Sequence, residues 1–315
     1  MIRAALIWLS LAAPVFAGPA EVEAAYERWL SERGGSGVLV QMQDGAVTAR
    51  AGFGMDVDAP VPLASLSKAI TAVCALTLVA EARWTIGTTA EGVLGYGGDV
   101  TVAEFMTHTS GLGPDATQGW RAGYLPIARA LAPDVARKAL ERGVTNRGDF
   151  AYNNENYAVL GEMIAAETGQ SYGDACAARA LAPAGVSGDA APRVAPMQAW
   201  GGWAMRVEDY AAFVHHWFAP DGLVGADLRN WPRHHFEGEG YWYGPGMFAR
   251  PWRDGVNHWH FGSYCYPGQL NLGAFSVRLA TGWSAVAGYD LCLEWEDMLA
   301  LDQALTRAAA QGRGE

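Results

Sequence analysis

The sequence is poor in basic residues. Its 315 residues include 22 Lys plus Arg against 33 Asp plus Glu, which gives a formal net charge of -11. A surface with this balance repels nucleic-acid phosphates and anionic lipid headgroups. We therefore expect a small-molecule or peptide substrate and no nucleic-acid partner; the composition leaves the oligomeric state open.

Internal repeats and low-complexity linkers are also absent, while half of the residues are hydrophobic. A chain of this length and composition can close one large core or two closely packed subdomains. We therefore expect one catalytic domain over residues 18–315 rather than a string of modules.

No apolar run near the start is long enough to span a bilayer. Residues 4–16 form about 13 apolar residues after Arg3, against roughly 20 for a membrane-spanning helix. A short apolar run that ends in the small-residue site V-F-A at 15–17 is typical of a cleavable secretory signal. No twin Arg precedes the run and no Cys follows it, so neither a folded-export signal nor a lipid anchor is indicated. We predict a signal peptide over 1–17, cleavage before Gly18 and a periplasmic or secreted product, the alternative being an uncleaved anchor.

Cysteine is scarce, with four residues in the chain. Export allows disulfides to persist, and four Cys permit three complete pairings. We expect Cys74, inside an apolar stretch, to behave as a small buried hydrophobe. Cys265 and Cys292 are the candidate bridge, and the full pairing stays open.

The order of patterns predicts a mixed α/β fold of the α+β type, with an antiparallel sheet flanked by helices and a mainly helical subdomain inserted. The α/β part is expected over about 18–60 and 200–315, and the helical part over about 61–199. Hydrophobic periodicity and turn residues carry this interpretation. The predicted elements are a helix over 19–30, a hairpin of 38–42 and 47–51 with an Asp-Gly turn, helices over 65–82, 207–218 and 294–309, and strands over 257–261, 270–279 and 284–289.

The segment A-S-L-S-K at 64–68 opens the long apolar helix. Residues three apart share a helix face, so the Ser65 hydroxyl and the Lys68 amine can meet. A Ser hydroxyl needs a base, which Lys supplies once burial lowers its pKa. The helix start adds unpaired N–H groups where negative charge would develop. The pattern also occurs at ordinary capped helix ends, so its weight depends on the rest of the chain.

Two further segments carry suitable chemistry. The segment Y-N-N at 152–154 offers the Tyr152 phenol, able to exchange protons with Ser65 if Lys68 holds its pKa down, and the Asn154 amide, able to grip a substrate carbonyl or Lys68. An Asn-rich helix cap with a core Tyr is the alternative.

The segment H-F-G-S at 260–263 ends an aromatic strand. Gly262 would let a substrate backbone approach, and the Ser263 N–H could join that of Ser65 in an oxyanion hole. The alternatives for His260 are a surface histidine whose hydrogen bonds are satisfied and a metal-binding pair with His258. No acidic or Cys ligand accompanies that pair, so no metal is expected.

These three segments, in this order, resemble the serine β-lactamase and penicillin-binding-protein superfamily, specifically its class C-like branch. That branch includes class C β-lactamases, D-alanyl-D-alanine carboxypeptidases, D-aminopeptidases and related esterases. The resemblance extends to F-M-T-H-T-S-G-L at 105–112, to the run 161–172 and to G-G-W at 201–203 with E-D at 208–209. It covers the chain from about residue 20 to the last helix.

The resemblance implies an acyl-enzyme mechanism without a cofactor. Ser65 would be the acylated nucleophile, Lys68 the proton acceptor in acylation and Tyr152 the group that activates the deacylating water. Asn154 would position the substrate amide, and the Ser65 and Ser263 N–H groups would form the oxyanion hole.

One departure bears on the substrate. The third motif of β-lactamases usually begins with Lys, whose charge pairs with a carboxylate, whereas His260 is mostly neutral at pH 7 at its usual pKa of ~6.5. The H-x-G form resembles D-aminopeptidases and esterases more than resistance enzymes. We expect an exported serine hydrolase for a small amide or ester, a D-amino-acid peptide being one candidate. The alternatives are a β-lactamase and a non-catalytic descendant that binds wall fragments or a protein.

Overall fold

A computed structural model describes residues 18–117, 132–226, 228–266 and 268–311. The predicted signal peptide over 1–17 lies outside these residues. Within them, no helix is both long and apolar enough to cross a membrane. The α-helices are α1 Pro19–Ser31, α2 Ser67–Ala80, α3 Ala90–Leu94, α4 Val102–Met106, α5 Ala132–Glu141, α6 Asn154–Thr168, α7 Tyr172–Cys176, α8 Val207–Phe218, α9 Leu223–Ala226 and α10 Trp295–Gln311.

Eight of the described strands form one antiparallel sheet in the order β2-β1-β11-β10-β9-β8-β7-β6, and β3, β5 and β4 form a small second sheet. The mixed fold with a large antiparallel sheet is as predicted. The strands are β1 Gly37–Gln43, β2 Ala46–Phe53, β3 Val61–Pro62, β4 Asp189–Ala190, β5 Trp203–Met205, β6 His234–His235, β7 Trp242–Gly244, β8 Met247–Trp252, β9 Gly255–Tyr266, β10 Leu270–Arg278 and β11 Trp283–Tyr289.

The first hairpin forms at the predicted Asp-Gly turn. Asp44 and Gly45 both have positive φ, 49° and 81°, which the two central residues of the tight hairpin turn require. The hairpin places β2 at the edge of the sheet and β1 next to β11, where Leu39 lies opposite Ala287. Strands from the two ends of the chain are therefore neighbours, and the helical segments lie between them in sequence. The proposed subdomain boundaries stay a prediction.

The sheet separates two hydrophobic cores. Leu39 of β1 packs in the core with Tyr26 of α1 and Leu301 of α10. Its neighbours Val38 and Val40 pack in the other core, which includes α2 and α8. This alternation follows from the two-residue period of a strand. It also directs one face of every central strand toward α2, the helix that follows the candidate nucleophile.

Two disulfides join the described cysteines, Cys74 to Cys176 and Cys265 to Cys292. The second is the predicted bridge. The expectation of an unpaired Cys74 is wrong, although the side chain is fully buried as predicted. Cys74 of α2 meets Cys176 at the end of α7, a proximity that depends on tertiary packing and has no local signal in the sequence. Both bonds are compatible with export, which itself stays a prediction.

We predict that removing the Cys74–Cys176 disulfide, which closes the longer loop, destabilises the protein more than removing the Cys265–Cys292 disulfide does. The chain-entropy model gives about 4.7 kcal/mol for the 102-residue separation of Cys74 and Cys176. The same model gives about 3.5 kcal/mol for the 27-residue separation of Cys265 and Cys292. Urea unfolding of the two double Cys→Ala variants measures both losses. Equal losses, or a larger loss for the second pair, would contradict this ordering.

Candidate active site

Ser65 and Lys68 meet at the start of α2. Ser65 lies in a 3-10 turn, Ala64–Leu66, and Lys68 follows in the first turn of α2. The Lys68 Nζ lies 3.1 Å from the Ser65 Oγ and donates to the Trp200 carbonyl oxygen at 2.9 Å. Ala64 has a positive φ of 46°, a strained conformation for a non-Gly residue and one that occurs at functional sites. The predicted Ser-Lys contact is therefore formed through a tight turn rather than through a regular α-helix.

Lys68 is fully buried. Burial disfavours its charged form and lowers its pKa to about 7, while the Asp115 carboxylate acts in the opposite direction. The only ring-face contacts of the ammonium group among the described residues are with Tyr152 at 4.9 Å and Tyr157 at 5.8 Å. A large fraction of Lys68 is therefore a neutral amine at neutral pH, as a base for Ser65 must be.

Burial of the Tyr152 hydroxyl raises its pKa above the usual value, and the nearby Ser65 side chain acts in the opposite direction. The residue as a whole is 37 % exposed. The sequence suggested that Lys68 lowers the Tyr152 pKa, but the dominant effect is burial, in the opposite direction. Tyr152 is therefore protonated in the resting site, and Lys68 is the group whose pKa lies near neutrality.

His108 supports Tyr152 from behind. Its ring lies 4.4 Å from the Tyr152 ring, and its Nδ1 accepts a hydrogen bond from the Asn153 backbone N–H at 3.2 Å. Asn156 contacts the same Nδ1 at 3.2 Å. Burial, followed by the charge of Lys68, lowers the His108 pKa well below its usual value, so the ring is neutral. Analysis of the sequence gave His108 no role in the site, although it lies inside the family-like segment 105–112.

Asn154, at the first position of α6, faces the same cavity. Its backbone N–H donates to the Asp115 Oδ2 at 2.9 Å, and its Nδ2 donates to the Thr117 Oγ1 at 2.9 Å. The two partners precede α6 by more than thirty residues, so no local pattern predicted them.

Gly262 brings β9 against the nucleophile turn. A Cβ placed on Gly262 would lie 2.4 Å from the Leu63 carbonyl oxygen and 2.8 Å from the Ser65 backbone nitrogen. The backbone that closely approaches Gly262 is thus the protein's own turn around Ser65, whereas the sequence suggested a substrate backbone there. Pairing of β8 with β9 ends at Phe248 and Trp259. In the described part of the sheet, the segment from Gly262 onward therefore has a strand on one side only, and Ser263 lies on the cavity wall.

His260 does not line the described cavity wall. The side chain is buried, its Nδ1 contacts the Phe261 carbonyl oxygen at 2.7 Å, and its ring packs 6.1 Å from the Tyr152 ring. Burial, followed by the Lys68 charge, lowers its pKa to about 3. His260 is neutral, as expected, and it lies behind Tyr152 and next to Phe248. Its predicted contact with a substrate stays a prediction.

His258, the other half of the considered metal pair, is buried against Phe218, and burial lowers its pKa to about 3. Within the described residues, the group of three possible metal ligands is Cys265, Cys292 and Glu294. Its two sulfur atoms already form a disulfide. The donor set of this group therefore does not suit a metal ion.

The cavity has a volume of about 80 Å³. Hydroxyl, phenol and amide side chains line it beside the Trp200 ring. Its wall includes Ser65, Tyr152, Asn154, Ser263, Trp200 and Tyr264. The sequence-predicted nucleophile, phenol and amide are thus brought together, with the base beneath Ser65.

This fold and Ser-Lys-Tyr arrangement define a protein of the β-lactamase and transpeptidase-like fold. The family model described as "Beta-lactamase" matches residues 24–286. The chain therefore belongs to the beta-lactamase family, a family of hydrolases that act on amides or esters. No curated protein sequence matches it.

Solved structures share the fold at low sequence identity. The octameric penicillin-binding protein homologue from Pyrococcus abyssi is 18% identical, with a TM-score of 0.73 over 91% of this chain and 77% of that chain. A class C β-lactamase from Rhodobacter sphaeroides is 15% identical, with a TM-score of 0.71 over 91% and 98%. The D-amino acid amidase from Ochrobactrum anthropi SV3, solved with L-phenylalanine amide, is 18% identical, with a TM-score of 0.69 over 93% and 99%.

We predict that Gly262→Ala disables the site while the protein stays folded. The added methyl group would push the backbone around Ser65 away from β9, and a misplacement of about 1 Å can cost about 100-fold in rate. Turnover of a nitrophenyl ester and circular dichroism measure the two effects. Gly87→Ala is the matched control, because its nearest neighbour would be 3.7 Å away. Unchanged turnover in Gly262→Ala would contradict this role for the glycine.

Proposed function

We propose that the protein is an exported serine hydrolase that forms an acyl-enzyme on Ser65 with a small amide or ester. The main support for this proposal is the 3.1 Å contact between the Ser65 Oγ and the Lys68 amine, whose pKa is about 7, at the base of a cavity. Such an amine takes a proton at neutral pH, whereas an exposed Lys is already protonated. The same contact argues against a non-catalytic descendant, in which nothing would maintain a buried base.

In the proposed acylation step, neutral Lys68 accepts the Ser65 proton as the Oγ attacks the substrate carbonyl carbon. The carbonyl oxygen becomes an oxyanion, and the N–H groups of Ser65 and Ser263 stabilise it. The proton on Lys68 then passes to the leaving amine or alkoxide as the bond to the carbonyl carbon breaks. Ser65 is left as an ester.

Deacylation uses Tyr152 as a relay. A water attacks the ester carbonyl and gives a proton to the Tyr152 oxygen, while the proton that Tyr152 already holds passes to the Ser65 Oγ. The acyl–oxygen bond breaks, and the acid and free Ser65 result. The position of Tyr152 beside Ser65 on the wall of one cavity, and a phenol that is protonated at rest, support this role.

The proposed periplasmic or secreted location has two supports. One is the signal-like pattern over residues 1–17, and the other is the pair of disulfides, which persist in oxidising compartments.

We predict that Ser65→Ala abolishes both fluorophosphonate labelling and turnover of a nitrophenyl ester, because no other nucleophile replaces the hydroxyl. Intact-mass spectrometry and absorbance assays measure the two losses. Ser171→Ala, at the N-terminus of α7, is a matched control outside the cavity and keeps both activities. A Ser65→Ala variant that turns over the ester as fast as the parent would refute the assignment.

We also predict a rising limb in the pH dependence of kcat/KM, with an apparent pKa near 7. Lys68 is the active base only when it has lost its proton, so the rate falls as the pH drops below the Lys68 pKa of about 7. A pH series with an uncharged ester isolates this limb. A rate that keeps rising to pH 10, as for a Lys with its ordinary pKa, would contradict the role of burial.

A further inference from the structure

We propose that the Asn154 carboxamide oxygen accepts a hydrogen bond from a protonated amine of the substrate, so that the acyl group carries a free amine beside the scissile carbonyl. This inference rests on the proposed hydrolase function and specifies its substrate class. The sequence suggested that the Asn154 amide grips a substrate carbonyl or Lys68, whereas here its oxygen accepts from the substrate.

The orientation of the Asn154 amide follows from its partners. The Thr117 hydroxyl has one proton, and it donates that proton to the Asp115 Oδ1 at 2.7 Å. Toward Asn154 the same hydroxyl can only accept, so the amide must turn its Nδ2 to Thr117, at 2.9 Å. The Asn154 Oδ1 is therefore the atom of the amide that does not contact Thr117.

Asp115 holds this chain of donors in place. Its Oδ1 also accepts from the Thr117 backbone N–H at 2.9 Å, and its Oδ2 accepts from the Asn154 backbone N–H at 2.9 Å. An ionised carboxylate only accepts hydrogen bonds, so the three donors fix the direction of the network. Thr117 is 3% exposed, which shields the network from competing water.

The Asn154 Oδ1 is buried and has no hydrogen-bond partner among the described residues. It belongs to a residue that lines the same cavity as Ser65. An unpaired buried acceptor calls for a donor from the ligand. A substrate carbonyl or carboxylate has no proton to offer, whereas an amine or an amide N–H has.

Charge distinguishes the amine from the amide. The Asp115 carboxylate lies directly behind Asn154 and is the one charged side chain that acts on Lys68 to raise its pKa. No Arg, Lys or His side chain belongs to the described cavity wall, and His260 is buried behind Tyr152. Above the Lys68 pKa of about 7 the amine is mostly neutral, so the Asp115 carboxylate dominates the field at the Asn154 oxygen, which favours an ammonium group and disfavours a carboxylate.

The test compares three kinds of p-nitroanilide. They are alanine p-nitroanilide with a free amine, in both D and L forms, its N-acetyl derivative, and propionyl p-nitroanilide, which lacks the amine. The quantity measured is the ratio of kcat/KM for the free-amine substrate to that for the propionyl substrate. Intrinsic reactivity cancels when this ratio is compared between variants.

Thr117→Val keeps the side-chain shape but removes the hydroxyl that orients Asn154. We expect it to lower the ratio by about tenfold or more, the effect of a hydrogen bond to a charged group, with propionyl turnover retained. Thr117→Ser restores the hydroxyl and the ratio. Thr306→Val, which removes a hydroxyl bonded to the Asp302 carbonyl oxygen in α10, leaves the ratio unchanged.

An unchanged ratio in Thr117→Val, or a parent enzyme that prefers the N-acetyl substrate, would overturn the inference while Ser65-dependent turnover leaves the hydrolase proposal standing. If the parent turns over none of the substrates and fluorophosphonate does not label Ser65, the hydrolase proposal fails and this inference fails with it.

Discussion

The chemistry of this site depends on a buried ammonium group without an adjacent carboxylate. Lys68 is fully buried, and its hydrogen-bond partners among the described residues are a hydroxyl and a backbone carbonyl oxygen. In such surroundings the charged form loses its hydration without gaining an ion pair, so the neutral amine becomes accessible near pH 7. A carboxylate in contact with Lys68 would restore the charge and remove the base. The aromatic neighbours are therefore part of the chemistry and not only of the packing.

The arrangement around Lys68 is made by segments that are remote in sequence. The turn at Ala64–Leu66 carries Ser65, β9 presses on that turn through Gly262, and Trp200 supplies a carbonyl oxygen to the amine. His108 and His260 lie behind Tyr152 as neutral rings. Each of these groups contacts a candidate site residue through tertiary packing. Lys68 is consequently shielded from solvent at the base of the site, while Tyr152 is partly exposed.

Local patterns in the sequence predicted the features that depend on interactions between residues close together in the chain. The three-residue spacing of Ser65 and Lys68, the Asp44-Gly45 turn and the helix Val207–Phe218 follow from helix and turn geometry, and the structure has all three. The bond between Cys74 and Cys176 and the contact of His108 with Tyr152 were missed. They join segments that only the tertiary fold brings together.

The surroundings of Gly262 and His260 share one physical cause. The sequence predicts substrate approach at Gly262 and substrate contact at His260, and both roles stay predictions. The turn occupies the space beside Gly262, and the two-residue period of β9 then directs His260 into the aromatic cluster behind Tyr152. A motif residue can thus contribute to the site by packing behind another site residue.

The pairing of β1 with β11 has a consequence for when the large sheet can form during protein synthesis. Leu39 and Ala287 face each other in the ladder between β1 and β11, although most of the described chain separates them. A ribosome releases the N-terminal partner long before the C-terminal one exists, so this ladder is incomplete until synthesis is nearly over. The large sheet therefore cannot be completed until the last strand has been made.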